Sequence, residues 1–325
     1  MKKITLSLTS IALILLLSAC NNKEETENVS IMLDWYPNAV HSFLYVAEEK
    51  GYFKDEGIEL DIKFPASPTD PINLAAAGKV TMGITYQPDV IIAKSEQNVD
   101  IKSVGALVQS PLNHVAFLKS SGITIPKDLE GKTVGYTGNP LNEAILKTMM
   151  KANGGDYSKV NMVDVGFELN SSLISNKTDA VIGAYINHEV PLLEYEGYPT
   201  GYIDPTEYGV PSFYELVVVT SDETWEKERK NIEAFWRAVG KAFVDIESSP
   251  DEAISILLKN QNEANFPLIE DVEKESLSIL LPKMKAQNKF GDQDVNNWEA
   301  TANWMLNEGL LTEEPDLNGI FVNMD

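Results

Sequence analysis

Cysteine is almost missing from this chain. Its single thiol, Cys20, closes an apolar N-terminal segment, so the rest of the sequence can build no disulfide, thiolate metal site or cysteine nucleophile. Histidine is nearly as scarce. His41, His114 and His188 are scattered, and no two stand at a metal-ligand spacing such as H-x-x-x-H, so no transition-metal site is expected. Basic runs are missing too. With 26 Lys and Arg against 49 Asp and Glu, the formal net charge is −23, and the clustered cations that neutralise phosphates are not there, which excludes nucleic acid as a partner. Neither a G-x-S-x-G elbow, an H-E-x-x-H helix nor a Walker loop occurs; the reading carries no catalytic residue, no metal and no cofactor.

What the chain does have begins with Lys2 and Lys3, an unbroken apolar stretch from Ile11 to Leu17, and Leu17-Ser18-Ala19-Cys20. A basic flank, a short apolar core and small residues before a cysteine make a lipoprotein signal peptide over 1–20. The expectation is cleavage before Cys20, acylation of its thiol (palmitate), and attachment to the outer face of the cell membrane. Residues 21–28, NNKEETEN, are polar and read as a flexible tether.

From Val29 onward short β-rich runs alternate with helical ones. Ser30 to Leu33, Ile58 to Phe64, Val80 to Thr85 and Val104 to Val108 read as strands. Between them lie helical patterns over Ala39 to Lys50, ended by Gly51, then Pro71 to Ala77, and from Pro88. A second series follows: strands at Lys132–Thr137, Met162–Val165 and Ala180–Ala184, helices at Asn139–Ala152, Leu169–Ser175 and Val190–Tyr195. From Asp222 to Glu308 the pattern is mostly helical, with breaks near Pro250, Pro267 and Pro282. This order predicts an α/β protein of two lobes with a ligand cleft between them and a helical C-terminal region. The first lobe is read over 29–113 and 214–325, the second over 114–213, with His114–Lys119 and Tyr214–Thr220 as crossing segments. Ligands are then expected at the carboxyl ends of the strands, and hinge closure as the motion.

Those strand ends are rich in aromatic, amide and carboxylate groups. Asp34-Trp35-Tyr36-Pro37-Asn38 follows the first strand, Tyr86-Gln87-Pro88-Asp89 the third, Gly138-Asn139-Pro140 the Lys132 strand, and Tyr185-Ile186-Asn187-His188-Glu189 the Ala180 strand. Trp35, Tyr86 and Tyr185 offer faces for a flat ring. Asn38, Asn187 and Glu189 offer groups that read ring nitrogens and an amine, and Asn139 joins the candidates at a helix N-terminus that favours an acceptor oxygen. Against that stands the plainer reading, Trp35 as a core plug and Asn38 or Asn139 as ordinary N-caps. His41 either donates to a ligand or faces solvent.

The string Leu33-Asp34-Trp35-Tyr36-Pro37-Asn38, with His41, Val46-Ala47-Glu48-Glu49-Lys50-Gly51-Tyr52-Phe53, Ala77 to Gly83, Gly122-Ile123 and Asp128 to Tyr136, resembles the thiamine-pyrimidine-precursor binding proteins. That family joins ThiY-type lipoproteins to the fungal pyrimidine synthase. The resemblance implies a periplasmic-binding-protein-like fold and a ligand of the formylaminopyrimidine or hydroxymethylpyrimidine type. It also implies delivery to an ABC permease and ATPase of the ThiX–ThiZ type. Its binding residues map onto Trp35, Asn38, Tyr86, Tyr185 and Glu189, with His41 beside them. Wider relatives bind riboflavin, sulfonates or nitrate, which stay open as alternatives, as does a pyrimidine-forming enzyme. The fungal synthase carries a cysteine-rich stretch where this chain has Tyr208 to Tyr214, YGVPSFY, without a thiol. Family lipoproteins carry Thr or Gln where this chain has Tyr36.

Overall fold

A computed structural model describes residues 26–166, 168–261 and 267–324. The expected signal peptide, Cys20 and most of the expected tether lie outside the described residues. The chain is α/β, built on two five-stranded mixed sheets. The first part runs β1 (Glu27–Met32), α1 (Ser42–Glu49), α2 (Tyr52–Asp55), β2 (Ile58–Lys63), α3 (Asp70–Ala76), β3 (Met82–Thr85), α4 (Gln87–Ser95) and β4 (Ile101–Val108). A single turn of 3-10 helix, Ala39–His41, leads into α1. The second part runs β5 (Asn113–Leu118), β6 (Thr133–Tyr136), α5 (Pro140–Ala152), β7 (Asn161–Asp164), α6 (Leu169–Ile174), β8 (Ala180–Tyr185), α7 (Glu189–Tyr195) and β9 (Thr200–Ile203). β10 (Leu216–Ser221) returns to the first sheet, and α8 (Asp222–Ser248), α9 (Pro250–Lys259), α10 (Glu270–Met284) and α11 (Val295–Asn307) close the chain.

The first sheet has the order β2-β1-β3-β10-β4 and the second β7-β6-β8-β5-β9. Each contains one reversed strand. β10 runs antiparallel to β3 and β4, and β5 antiparallel to β8 and β9. These are the two runs expected to cross between lobes, and that expectation is corrected: both are interior strands, and the chain crosses just before each, at 109–112 and between 204 and 215. A β-prone run marks the strand that receives the crossing, because a strand buried on both faces reads as continuous hydrophobic sequence; all six residues of β10 are buried.

Other boundaries move for identifiable reasons. β1 starts at Glu27, inside the stretch read as tether, because backbone pairing of Glu27 with Ile58 extends the ladder past the buried residues. β9, TGYI, carries no readable pattern, since two of its four residues are partly or fully exposed. α10 continues through Pro282 to Met284; a proline in the last turn interrupts little of a helix that is about to end. The helix over 39–50 ends at Gly51 in the left-handed region, φ 75°, where glycine bears no Cβ penalty.

Packing of the helical tail on the first sheet depends on another glycine. A Cβ on Gly105 would sit 2.2 Å from the Trp236 indole, so a bare backbone on β4 lets α8 approach closely. Farther along, α10 packs against both the Ala39–His41 turn of the first part and α7 of the second. That helix therefore spans the two halves on the side where the strands end.

Candidate functional site

Two strand ends of the first sheet and one of the second meet between the lobes. Tyr86 follows β3 in the first sheet, and Tyr185 ends β8 in the second. Their hydroxyls are close enough to perturb each other, and Asp34 and Glu215 act on both. Both phenols titrate well above the ordinary tyrosine range, chiefly because they lie deep among protein atoms. Yet both rings remain only partly buried from solvent. Depth with residual access is the signature of a cleft floor.

The β1 end is organised by a short network. His41 is wholly buried, and its Nε2 lies 2.9 Å from Asp34 Oδ1, itself 6% exposed. On the other side of the ring, Asn38 N–H donates to Nδ1 at 3.3 Å. Asn38 Oδ1 accepts from Val40 N–H at 3.0 Å, and its Nδ2 donates to the Tyr36 carbonyl at 3.1 Å. Asn38 is thus the N-cap of the turn, and His41 is neither ligand-facing nor solvent-facing. It orients Asp34. Trp35, by contrast, is 41% exposed, with its ring edge-to-face on Tyr36 at 5.8 Å. It is no core plug.

At the β8 end, Glu189 Oε2 accepts from Tyr185 N–H at 2.7 Å and Oε1 lies 3.0 Å from His188 Nδ1. Each carboxylate oxygen keeps a second lone pair, and the side chain is 25% exposed. Burial opposes a charge on His188, but hydrogen bonding and charge from Glu189, with Glu273 beyond, raise its pKa above the usual histidine value. Asn187 Nδ2 donates to Ser276 Oγ on α10 at 3.2 Å, while its Oδ1 is buried without a partner. An unpaired buried acceptor is costly. Asn139 stands apart. It is exposed and caps α5 by accepting from Leu141 N–H at 2.9 Å, with no hydrogen bond to the other strand ends.

Several carboxylates at the floor escaped sequence reasoning. Glu215 is 3% exposed at the second crossing, and its Oε2 accepts from Leu112 N–H at 2.6 Å in the first and from Asn113 N–H at 3.1 Å at the start of β5. Burial raises its pKa despite those donors. Burial first, then the charge of Glu215, pushes the Asp89 carboxyl up to about 6. Glu273 Oε2 accepts from Ala39 N–H at 2.7 Å, and burial raises its pKa as well. The available signal was a charged residue inside a β-prone run, Glu215 in YELVVVT. For Glu273 no local signal exists, because its partner lies 234 residues away in the chain.

Two cavities lie elsewhere. One of about 420 Å³ is lined by α8 and residues 285–290, including Trp236, Arg237 and Phe290. Another of about 690 Å³ separates α5 from α11 around Lys151 and Trp304. Among the described residues no cluster of His, Cys, Asp and Glu is arranged to hold a metal ion, and no helix is long and apolar enough to cross a membrane.

The chain is 51% identical over 298 residues to the formylaminopyrimidine-binding protein of Halalkalibacterium halodurans, covering 90% of each. It is 29% identical over 238 residues to a 4-amino-5-hydroxymethyl-2-methylpyrimidine phosphate synthase of Saccharomyces cerevisiae, covering 70% of this chain and 69% of the yeast protein. Among solved structures, the periplasmic aliphatic sulphonate binding protein SsuA of Escherichia coli matches with a TM-score of 0.70 at 12% identity, over 90% of this chain and 96% of that one. This last likeness establishes the fold, that of periplasmic binding proteins. The family model described as NMT1/THI5 like matches residues 38–253, which takes in the Tyr86, Tyr185 and Glu189 strand ends, and the chain belongs to that family.

Proposed function

We propose that this chain is the extracytoplasmic solute-binding component of an ABC importer and captures a thiamine pyrimidine precursor of the formylaminopyrimidine type. The observation that carries the reading is the 51% identity to a formylaminopyrimidine-binding protein across nine-tenths of both chains. The cleft supports it in kind. Trp35, Tyr86 and Tyr185 supply ring faces, and Asn187 and Glu189 supply groups for ring nitrogens and an exocyclic amine. Asn38, His41 and Asn139 hold backbone or neighbours in place. The two lobes are residues 29–113 with 214–325, and 114–213. Acylation at Cys20 anchors the protein to the outer face of the membrane, and the partners are a permease and ATPase of the ThiX–ThiZ type.

The rival from another class is a pyrimidine-forming enzyme like the yeast relative. Mass spectrometry of ligand co-purifying with the protein, followed by calorimetry, separates the two. The expected result is stoichiometric, reversible binding of an aminopyrimidine with no turnover. Conversion of a pyridoxal or histidine donor into a pyrimidine would overturn it. An anion receptor is disfavoured because the strand ends that form the cleft carry no Arg or Lys. Taurine, alkanesulfonates and nitrate are therefore expected to leave the melting temperature unchanged.

A further inference from the structure

The carboxylates around the cleft are not equally compensated. Glu215 receives two backbone N–H groups, and Lys283 lies within electrostatic reach of it, its Nζ bound to Ser110 Oγ and the Pro111 carbonyl. Glu189 is paired with His188, and Glu273 with the Ala39 N–H. Asp34 differs from all three. Because Asn38 N–H points at His41 Nδ1, the ring proton is on Nε2, and the imidazole that donates to Asp34 Oδ1 is neutral. A neutral donor fixes a carboxylate without cancelling its charge. Oδ2 receives no hydrogen bond among the described residues, and the Tyr86 and Tyr185 hydroxyls of the neighbouring strand ends lie within electrostatic reach of Asp34. Among the described residues no ammonium or guanidinium is paired with it. Asn187 Oδ1, on a residue only 4% exposed, adds another unfilled acceptor.

We infer that the cleft takes its aminopyrimidine as the ring-protonated cation, with Asp34 as the fixed counter-charge and His41 as the positioning residue that holds it. This inference rests on the pyrimidine reading. A 4-aminopyrimidine is a base at a ring nitrogen, and protonation spreads positive charge over the ring and the exocyclic amine. Both N–H groups then become stronger donors, which suits a floor of acceptors and an uncompensated anion. The chemistry is one proton moved from water or buffer to the ring nitrogen; no other bond forms or breaks. Above the pKa of the free base, linkage then requires affinity to fall about tenfold per pH unit.

The test uses the full chain, with 4-amino-5-hydroxymethyl-2-methylpyrimidine and a less basic ring-fluorinated analogue as probes. Calorimetry well above the free-ligand pKa, in buffers of different ionisation heat, should show about one proton taken up per ligand bound. The onset of the pH dependence should move with the basicity of the analogue, which separates it from titration of Asp89 or His188. The ring ¹⁵N shift of bound ligand should be that of the cation. Asp34→Asn should abolish proton uptake and leave weak, pH-independent binding. Tight binding with buffer-independent heats and a neutral-form ¹⁵N shift would overturn the inference and leave the pyrimidine reading standing. Proton uptake that persists in Asp34→Asn would remove Asp34 from the role. Failure of either pyrimidine to bind at any pH would defeat both readings together. The wild-type measurements decide the protonation state even if the variant does not fold.

Discussion

Trp35 and Glu189 stand on opposite strand ends and should fail differently when changed. Trp35 is 41% exposed, with Tyr36 edge-on to its ring, and on the pyrimidine reading its indole adds stacking area for a flat ring. Trp35→Ala is expected to cost on the order of 2 kcal/mol, about thirtyfold in affinity, for amino and des-amino pyrimidines alike. Glu189 already accepts from the Tyr185 N–H and pairs with His188, but it retains lone pairs toward the cleft. Glu189→Gln replaces one acceptor oxygen by a donor at constant shape. It should weaken the amino ligand by about 1.5–3 kcal/mol and spare the des-amino one. Equal losses for both in calorimetry would reduce Glu189 to a helix N-terminal charge. Single residues were legible where their chemistry is local. Asn38 and Asn139 follow the ordinary rule for N-caps, and the structure gives both that bond. His41 was not legible, because its two partners lie on opposite sides of a ring whose complete burial only the folded chain reveals.

At the level of elements, the α4 N-terminus carries a pH signature. Asp89 in its first turn makes no hydrogen bond among the described residues, and burial with the nearby Glu215 charge moves its carboxyl from 3.8 up to about 6. The folded state therefore prefers the neutral acid. Its favourable contribution is present below the unfolded pKa and is lost as pH rises through about 6. Asp89→Asn stays neutral throughout. It should match the wild type near about pH 4 and exceed it by roughly 1–3 kcal/mol above about pH 7, since each pKa unit is worth about 1.36 kcal/mol. Urea titrations at both pH values check this; equal stability gains at both would mean the effect is not titration. Element type was readable along most of the chain because period-two and helical patterns were unbroken, as in IELDIK of β2. Strand reversal was not readable. Nothing local distinguishes β5 or β10 from a parallel strand, and orientation is fixed by which sheet the chain has just left.

For the whole molecule, the contacts between lobes divide into those that persist on opening and those that must break. Glu215 lies at the second crossing and accepts from Leu112 N–H of the first and Asn113 N–H of the strand it enters, so it ties the two connections into one pivot. Glu215→Ala would strand two buried donors and should destabilise the fold by about 2–4 kcal/mol. Glu215→Gln keeps an acceptor there and should be tolerated better, because burial has already raised the pKa of the carboxyl. The Asn187–Ser276 bond is of the other kind. It joins the β8 end to α10, away from the pivot, across the line where α10 meets α7. A hinge opening about that pivot would part its two partners. One neutral hydrogen bond contributes about 0.5–1.5 kcal/mol to the state that contains it. Ser276→Ala should therefore shift the unliganded protein toward open forms, seen as a larger radius of gyration in solution scattering. Because the binding-competent form is less populated, apparent affinity should fall by about two- to tenfold. The liganded protein should scatter like the wild type, since the ligand itself then bridges the strand ends. A fall in affinity with no change in the scattering of the free protein would place Ser276 in the ligand contact and not in closure.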